Sequence, residues 1–460
     1  MKIKNIGIAT LEKAPKLRKM VGPSFILLGL GLGSGELILW PYLSANFGLG
    51  IIWAAVIGIT FQFFINMEIE RYTLINGESV FVGLARKFGT ISPVWFILST
   101  IIPWMWPGII LSSATLISHV FGIKYADYLA MGFLILIGLI LSLGRVYKTQ
   151  EKLQKILIYV GVPLILVLAG FLAKGHDWQA LANGLVGHGD NFWFIPAGLS
   201  LMTFLGAFAY SGAGGNLNLA QSFYIREKEY GMGKYGTKIT SLLRKNKTNL
   251  SLEGKTFLIN KENLKVFKDW WKKINLEHML VFWLTGATTI LMLSLLAFST
   301  VYQTTKGASG INFLFEEANM ISLSTWSIVG TIFLVLVGIM LFFTQLSVMD
   351  ATARINSENL VILNQDRFKI EHLSYFYHAF LWAQIILGII VLLVGFDQPL
   401  QLVTLSAFLN AMTMLVYTMA ILWLNQKTLA KELRPVWWRK AILVLIILFF
   451  TSFTGLILFN

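Results

Sequence analysis

Apolar residues in this chain run in long blocks, without the alternation of a half-buried strand or the narrow stripe of a soluble helix. About eleven blocks of roughly 17 to 25 residues are each long enough to cross a hydrocarbon layer of about 30 Å. They cover 22–48, 51–67, 94–120, 128–144, 156–173, 192–223, 280–302, 326–349, 375–394, 400–424 and 442–459. The pattern predicts an all-α integral membrane protein. Its segments are an N-terminal piece (1–21), spans one to six (22–223), a polar insert (224–276) and spans seven to eleven (277–460).

Two blocks are irregular. Span one carries Gly29, Gly31, Gly33, Ser34, Gly35 and Glu36 at about half depth. Glycine costs about 1 kcal/mol per helical position relative to alanine, and carbonyls freed by a break need partners in protein or a polar cavity. Span six repeats the pattern, with Gly206 followed by Ser211-Gly212-Ala213-Gly214-Gly215-Asn216. Spans one and six head two sets of five, and interrupted helices at matching places in two halves point to an inverted-repeat transporter and its site. The other reading is close helix packing through the small-xxx-small pairs Gly29 with Gly33 and Gly31 with Gly35.

Only 13% of residues are charged, against about 25% in soluble domains. The net charge of +14 would suggest nucleic acid in a soluble chain, so its distribution matters. With the N-terminus in the cytoplasm, eleven spans leave Lys124, Lys174 and Lys306 outside and 34 of the 37 basic residues inside. That asymmetry predicts orientation, and the basic surplus becomes a topology signal and an attraction to anionic lipid, with no nucleic-acid partner. A multi-pass protein of the plasma (inner) membrane is expected, and the Lys-rich start needs no cleaved signal. The insert holds 13 basic and 5 acidic residues, and Leu264, Phe267, Trp271 and Ile274 recur at helical spacing among lysines. It reads as an amphipathic helix in the inner interface or as a solvated loop, and a second short helix fits residues 79–88.

Glu36 is the one acid placed near the bilayer centre, with no Lys or Arg at similar depth. A carboxylate there requires a bound cation or a proton, or it serves structurally as a neutral acid. Asn410 in span ten reads as a ligand or an interhelical hydrogen bond. Glu68, Glu70 and Arg71 end span two, and Asp350 and Arg354 sit four apart after span eight, where they suit ion pairs at the cytoplasmic mouth. His119 and His378 lie near span ends, and Pro103-Trp104-Met105-Trp106-Pro107 kinks span three. With no cysteine, thiolate metal sites and disulfides are excluded, and no Ser/His/Asp set, HExxH or P-loop supports an enzyme.

Gly22-Pro23 opening span one, the central break, Arg71 followed by Asn76-Gly77, and Leu219-Ala220-Gln221-Ser222 closing span six together resemble the Nramp family of divalent metal-ion transporters. The resemblance covers spans one to ten. It implies the five-plus-five inverted repeat of the amino-acid/polyamine/organocation transporters, with helices one and six broken. The motifs depart from the family, as in a divergent branch. Where the family has Asp-Pro-Gly-Asn, this chain has Gly33-Ser34-Gly35-Glu36; where it has Met-Pro-His, the two registers give Ala209-Tyr210-Ser211 or Leu205-Gly206-Ala207. Span three has no acid and span six no histidine for the family's proton relay, so weak proton coupling is implied.

The expected function is secondary transport of a cation by alternating access. Glu36, Ser34, Ser211, Asn410 and backbone carbonyls around Gly33 and from Gly206 through Ala209 to Tyr210 would line the site. An all-oxygen set suits a hard divalent ion such as Mg²⁺ or Mn²⁺ as cargo, with no resident cofactor. The alternative is a small organic solute, an amino acid or amine, and a channel or sensor is a third class.

Overall fold

The computed structural model describes residues 6–20, 22–143, 146–237, 251–302 and 310–459. Lys306, used above for topology, lies outside them. Ten helices among the described residues are long and apolar enough to cross a membrane: Pro23–Phe47, Leu49–Asn76, Ile91–Phe121, Ala126–Leu143, Gln150–Leu172, Lys261–Tyr302, Ser327–Leu363, Ile370–Leu393, Pro399–Thr428 and Trp437–Ile457. The expected sixth span is interrupted. Leu201–Ala209 is helical, 210–214 is not, and the chain resumes as a tight turn over Gly215–Ala220 and a helix over Gln221–Glu227. Span one is broken as well, its first half Pro23–Gly31 ending before a wide π-type turn over Ser34–Leu39.

Several spans outrun their apolar blocks. Span two continues to Asn76 and span eight to Leu363. Glu68, Arg71, Asp350 and Arg354 are therefore helical residues, not end-of-span loops. They are all buried because they pair: Arg71 Nε donates to Glu68 at 2.7 Å and Arg354 Nε to Asp350 at 2.9 Å. Arg354 also reaches Glu227 at 3.0 Å, Arg226 reaches Glu358 at 2.6 Å, and Arg439 reaches Glu68 at 3.4 Å. These pairs tie the second half of span six to span eight, and span two to span eleven. They gather on the side of the molecule on which the N-terminus lies.

A short helix, Val80–Phe88, follows span two on the same side, opened by Ser79. Its Arg86 pairs with Glu78 at 2.6 Å; burial weakens the guanidinium's hold on its proton, but the paired carboxylate more than offsets this and holds Arg86 above its usual range.

The described part of the insert is folded onto the protein. Its helix Lys261–His278 runs directly into span seven. Phe267, Trp270 and Ile274 are buried, and Trp270 Nε1 donates to the Glu12 carbonyl at 2.7 Å. Gly7–Ile8 pairs in parallel with Lys255–Thr256, so the N-terminal segment and the insert share one side. On the opposite side the short helix Gly175–Leu185, absent from the sequence reading, lies over the connection between spans one and two. A cavity of about 440 Å³ opens there, lined by Gly48, Gly50, His176, Asn183, Asp190 and Tyr302.

Candidate functional site

The two breaks cross in contact. A Cβ on Gly31 would lie 3.0 Å from the Gly212 backbone, and one on Gly35 would overlap the Tyr210 carbonyl oxygen. Glycine at these positions of span one thus lets the unwound part of span six touch it.

Each break is held by a polar side chain from a neighbouring span. Thr344 in span eight donates to the carbonyls of Leu32 (3.0 Å) and Gly29 (3.2 Å), and its side chain fills the space beside Gly33. Gln62 in span two donates to the Ala209 carbonyl at 2.8 Å and accepts from the Gly214 N–H at 3.1 Å. Sequence reasoning passed over both residues, since a lone Thr or Gln in an apolar helix carries no signal of what it clamps.

The break in span six starts later than expected. Gly206 is in regular helix, its carbonyl accepting the Tyr210 N–H at 3.0 Å, and it packs against Ala407 of span ten. Gly206 and Ala209 carbonyls are thus already engaged, which shifts the available backbone oxygens to the next four residues. Among the described residues, no backbone N–H donates to the carbonyls of Tyr210, Ser211, Gly212 or Ala213, and all four residues are buried. Buried carbonyls without partners are uncommon in native proteins.

The proposed side chains fall on two faces. Glu36 is fully buried, with neither carboxyl oxygen hydrogen-bonded. It points toward span seven, an oxygen lying 3.4 Å from the place of a Cβ on Gly286, which also abuts Leu28 and Ile59. Tyr210 points the other way, toward spans three and ten. Its hydroxyl meets Ser406 at 2.7 Å and Asn410 Nδ2 at 2.9 Å, and its ring stacks on Trp104 with centroids 5.5 Å apart. Asn410 Oδ1 is left without a partner against Gly215, as is Asn216 Oδ1, whose Nδ2 donates to Ser99 and Thr100. Ser34 is buried beside the break, and Ser211 is committed, donating to Ala207 and accepting from Trp40 Nε1 at 3.0 Å.

Glu70 stands apart from the mouth residues. It sits in a buried cluster with Gln221 (2.8 Å) and His278 (3.3 Å), separate from the Glu68–Arg71 pair. His119 stacks on Phe315 and His378 Nδ1 contacts the Ser374 carbonyl, so both are packing elements. Among the described residues no group of three or more His, Cys, Asp or Glu side chains could hold a metal ion.

No family model and no curated protein matches the sequence. Solved structures do match. A variant of the manganese transporter of Eremococcus coleocola superposes with a TM-score of 0.69 at 12% identity, over 98% of this chain and 89% of that one. MhsT in complex with L-phenylalanine gives 0.55 at 15% identity over 98% and 99%. A nucleobase-cation-symport-1 family transporter, closed with bromovinylhydantoin bound, gives 0.55 at 11% identity over 99% and 95%. This chain therefore has the five-plus-five inverted-repeat fold of these transporters, with helices one and six broken.

Proposed function

We propose that the protein is a secondary transporter of the Nramp-related type that moves a hard cation, of the Mg²⁺ or Mn²⁺ class, by alternating access. The observation that carries this reading is the crossing of the breaks. Among the described residues the carbonyls of four successive buried residues, Tyr210 to Ala213, accept no hydrogen bond, and the first abuts Gly35, the chain neighbour of Glu36, whose carboxyl is unpaired and faces span seven. Oxygens without donors suit a ligand that brings positive charge, and a cation offsets the cost of the buried carboxylate. One carboxylate with carbonyl and amide oxygens suits a hard ion that keeps some of its water. Retained water also accommodates a site in which side-chain ligands are few. The wall of ion pairs on the N-terminal side and the cavity on the far side fit one end-state of an alternating cycle.

Equilibrium binding to the purified protein in detergent tests this reading. Mn²⁺ and Mg²⁺ should bind with comparable affinity, and Glu36→Gln should remove both. Binding unaffected by that substitution would count against it. A second reading, a small organic amine or amino acid, is favoured by the Trp104–Tyr210 stack beside the free Asn410 oxygen. L-amino acids that bind and displace no metal would favour it.

A further inference from the structure

Four helices meet at a second buried polar cluster toward the N-terminal side, which the cargo site does not use. Ser24 begins span one, Glu70 belongs to span two, Gln221 opens the second half of span six, and Glu277 and His278 precede the apolar part of span seven. Ser24 Oγ donates to the Glu277 carboxylate and lies 2.8 Å from His278 Nδ1. The same Nδ1 lies 3.3 Å from Glu70 Oε1, which accepts from Gln221 Nε2 at 2.8 Å. A continuous path thus runs from Glu70 through His278 and Ser24 to Glu277. Ser24 and His278 are fully buried, Glu70 is 1% exposed and Glu277 5%.

The chemistry is incomplete as it stands. Glu277 Oε1 and His278 Nε2 have no hydrogen-bond partner. Phe63 and Phe282 sandwich the imidazole, with ring centroids at 5.6 and 4.8 Å, and shield it from water. No Lys or Arg is hydrogen-bonded to either carboxylate among the described residues. Lys155 and Tyr230 are coupled electrostatically to Glu277. Lys155 is already paired with Glu151 at 2.6 Å, and Glu151 also takes Lys228 at 2.8 Å. Two carboxylates in electrostatic contact, buried beside one imidazole, cannot both remain ionised without a proton among them.

We propose that Glu70, His278 and Glu277, bridged by Ser24, form the binding site of an exchangeable coupling proton. The proposal rests on the transporter reading above, in which the half-helices of spans one and six move. While the proton is bound, the first half of span one and the second half of span six are held against spans two and seven. When it leaves, Glu70 and Glu277 repel each other and the contacts of Ser24 and Gln221 are lost, which frees the two half-helices to part and opens the N-terminal side. Proton binding is thus placed on span seven, where the sequence reading, looking to spans three and six, found no relay.

A cargo-free experiment tests it. The chain has no cysteine, so a Ser222→Cys variant offers a single thiol on the buried face of the second half of span six. Its maleimide-labelling rate in nanodiscs is measured from about pH 5 to about pH 9, corrected for the reagent's own pH dependence with a small thiol. One released proton changes the open-to-closed ratio by up to about tenfold per pH unit. Corrected labelling should therefore rise at least about fivefold as pH increases, and Glu70→Gln or Glu277→Gln should reduce the rise to less than about twofold. His278→Gln should move its midpoint. A parent rate independent of pH, or the same profile in both Gln variants, overturns the proposal. So does a uniform increase at every pH, which is the mark of a merely structural contact. Because no cargo is present, failure of metal transport would leave this result readable.

Discussion

The carbonyl oxygen of Tyr210 rests on Gly35, the two broken spans meeting where neither has a side chain between them. This contact places the unpaired carbonyls of span six beside the carboxyl-bearing turn of span one. It also makes Gly35 sensitive to the smallest possible change.

Gly35→Ala should abolish uptake and lower thermal stability. Overpacking costs about 1–3 kcal/mol, and here the overlap is with backbone, which cannot rotate away. Gly132, where a Cβ would meet nothing within 4 Å, serves as the control for Gly→Ala in a span. Fluorescence-detected melting and uptake measured on both variants check this.

Thr344→Val keeps the shape of the side chain and removes the hydroxyl that serves Leu32 and Gly29. Leaving those carbonyls without a donor should cost about 1–3 kcal/mol and impair transport more than binding, because the break would lose its defined shape. Thr344→Ser should restore both. Equal behaviour of Val and Ser would contradict the clamp.

Arg354 holds Asp350 and Glu227 together, and Tyr377 adds a hydrogen bond to Asp350 at 2.8 Å. Removing one partner of a buried ion pair costs about 3–5 kcal/mol because the remaining charge is stranded. Arg354→Gln should therefore destabilise the sealed state and raise labelling of a Cys at position 222 at every pH, unlike the proton-site variants. Unchanged labelling would show that this pair does not close the N-terminal side.

Much of this arrangement can be read from sequence because it depends on composition over long windows. Eleven apolar blocks and two glycine clusters are enough for the spans, the repeat and the breaks. The rest depends on contacts between residues far apart in the chain. Gly206 looks like part of the second break, yet it is a packing glycine against Ala407, and a lone sequence does not separate these roles. Spans two and eight run past their apolar limits because charges such as Arg71 and Arg354 find buried partners, which hydropathy counts as solvent-seeking. Glu277 and His278 read as the end of a polar insert until the helix is seen to continue into span seven.

Selectivity follows from the donor set. With no cysteine, and with no methionine or histidine at the crossing of the breaks, nothing soft discriminates transition metals from alkaline-earth ions. Mg²⁺ should compete with Mn²⁺ within about tenfold, or about 1.4 kcal/mol. Competition titrations at constant ionic strength check this, and near-complete exclusion of Mg²⁺ would contradict an all-oxygen site.

The central claim is that Glu36 balances the charge of a transported cation at the crossing of the two breaks. Uptake of Mn²⁺ and Mg²⁺ into proteoliposomes by the parent protein and by Glu36→Gln, with L-amino acids assayed in parallel, tests it most directly. The account predicts saturable uptake of both ions by the parent and none by Glu36→Gln, in a variant that still elutes as a folded protein. Uptake of divalent ions that survives the substitution, or transport of an amino acid with no metal flux at all, would contradict it.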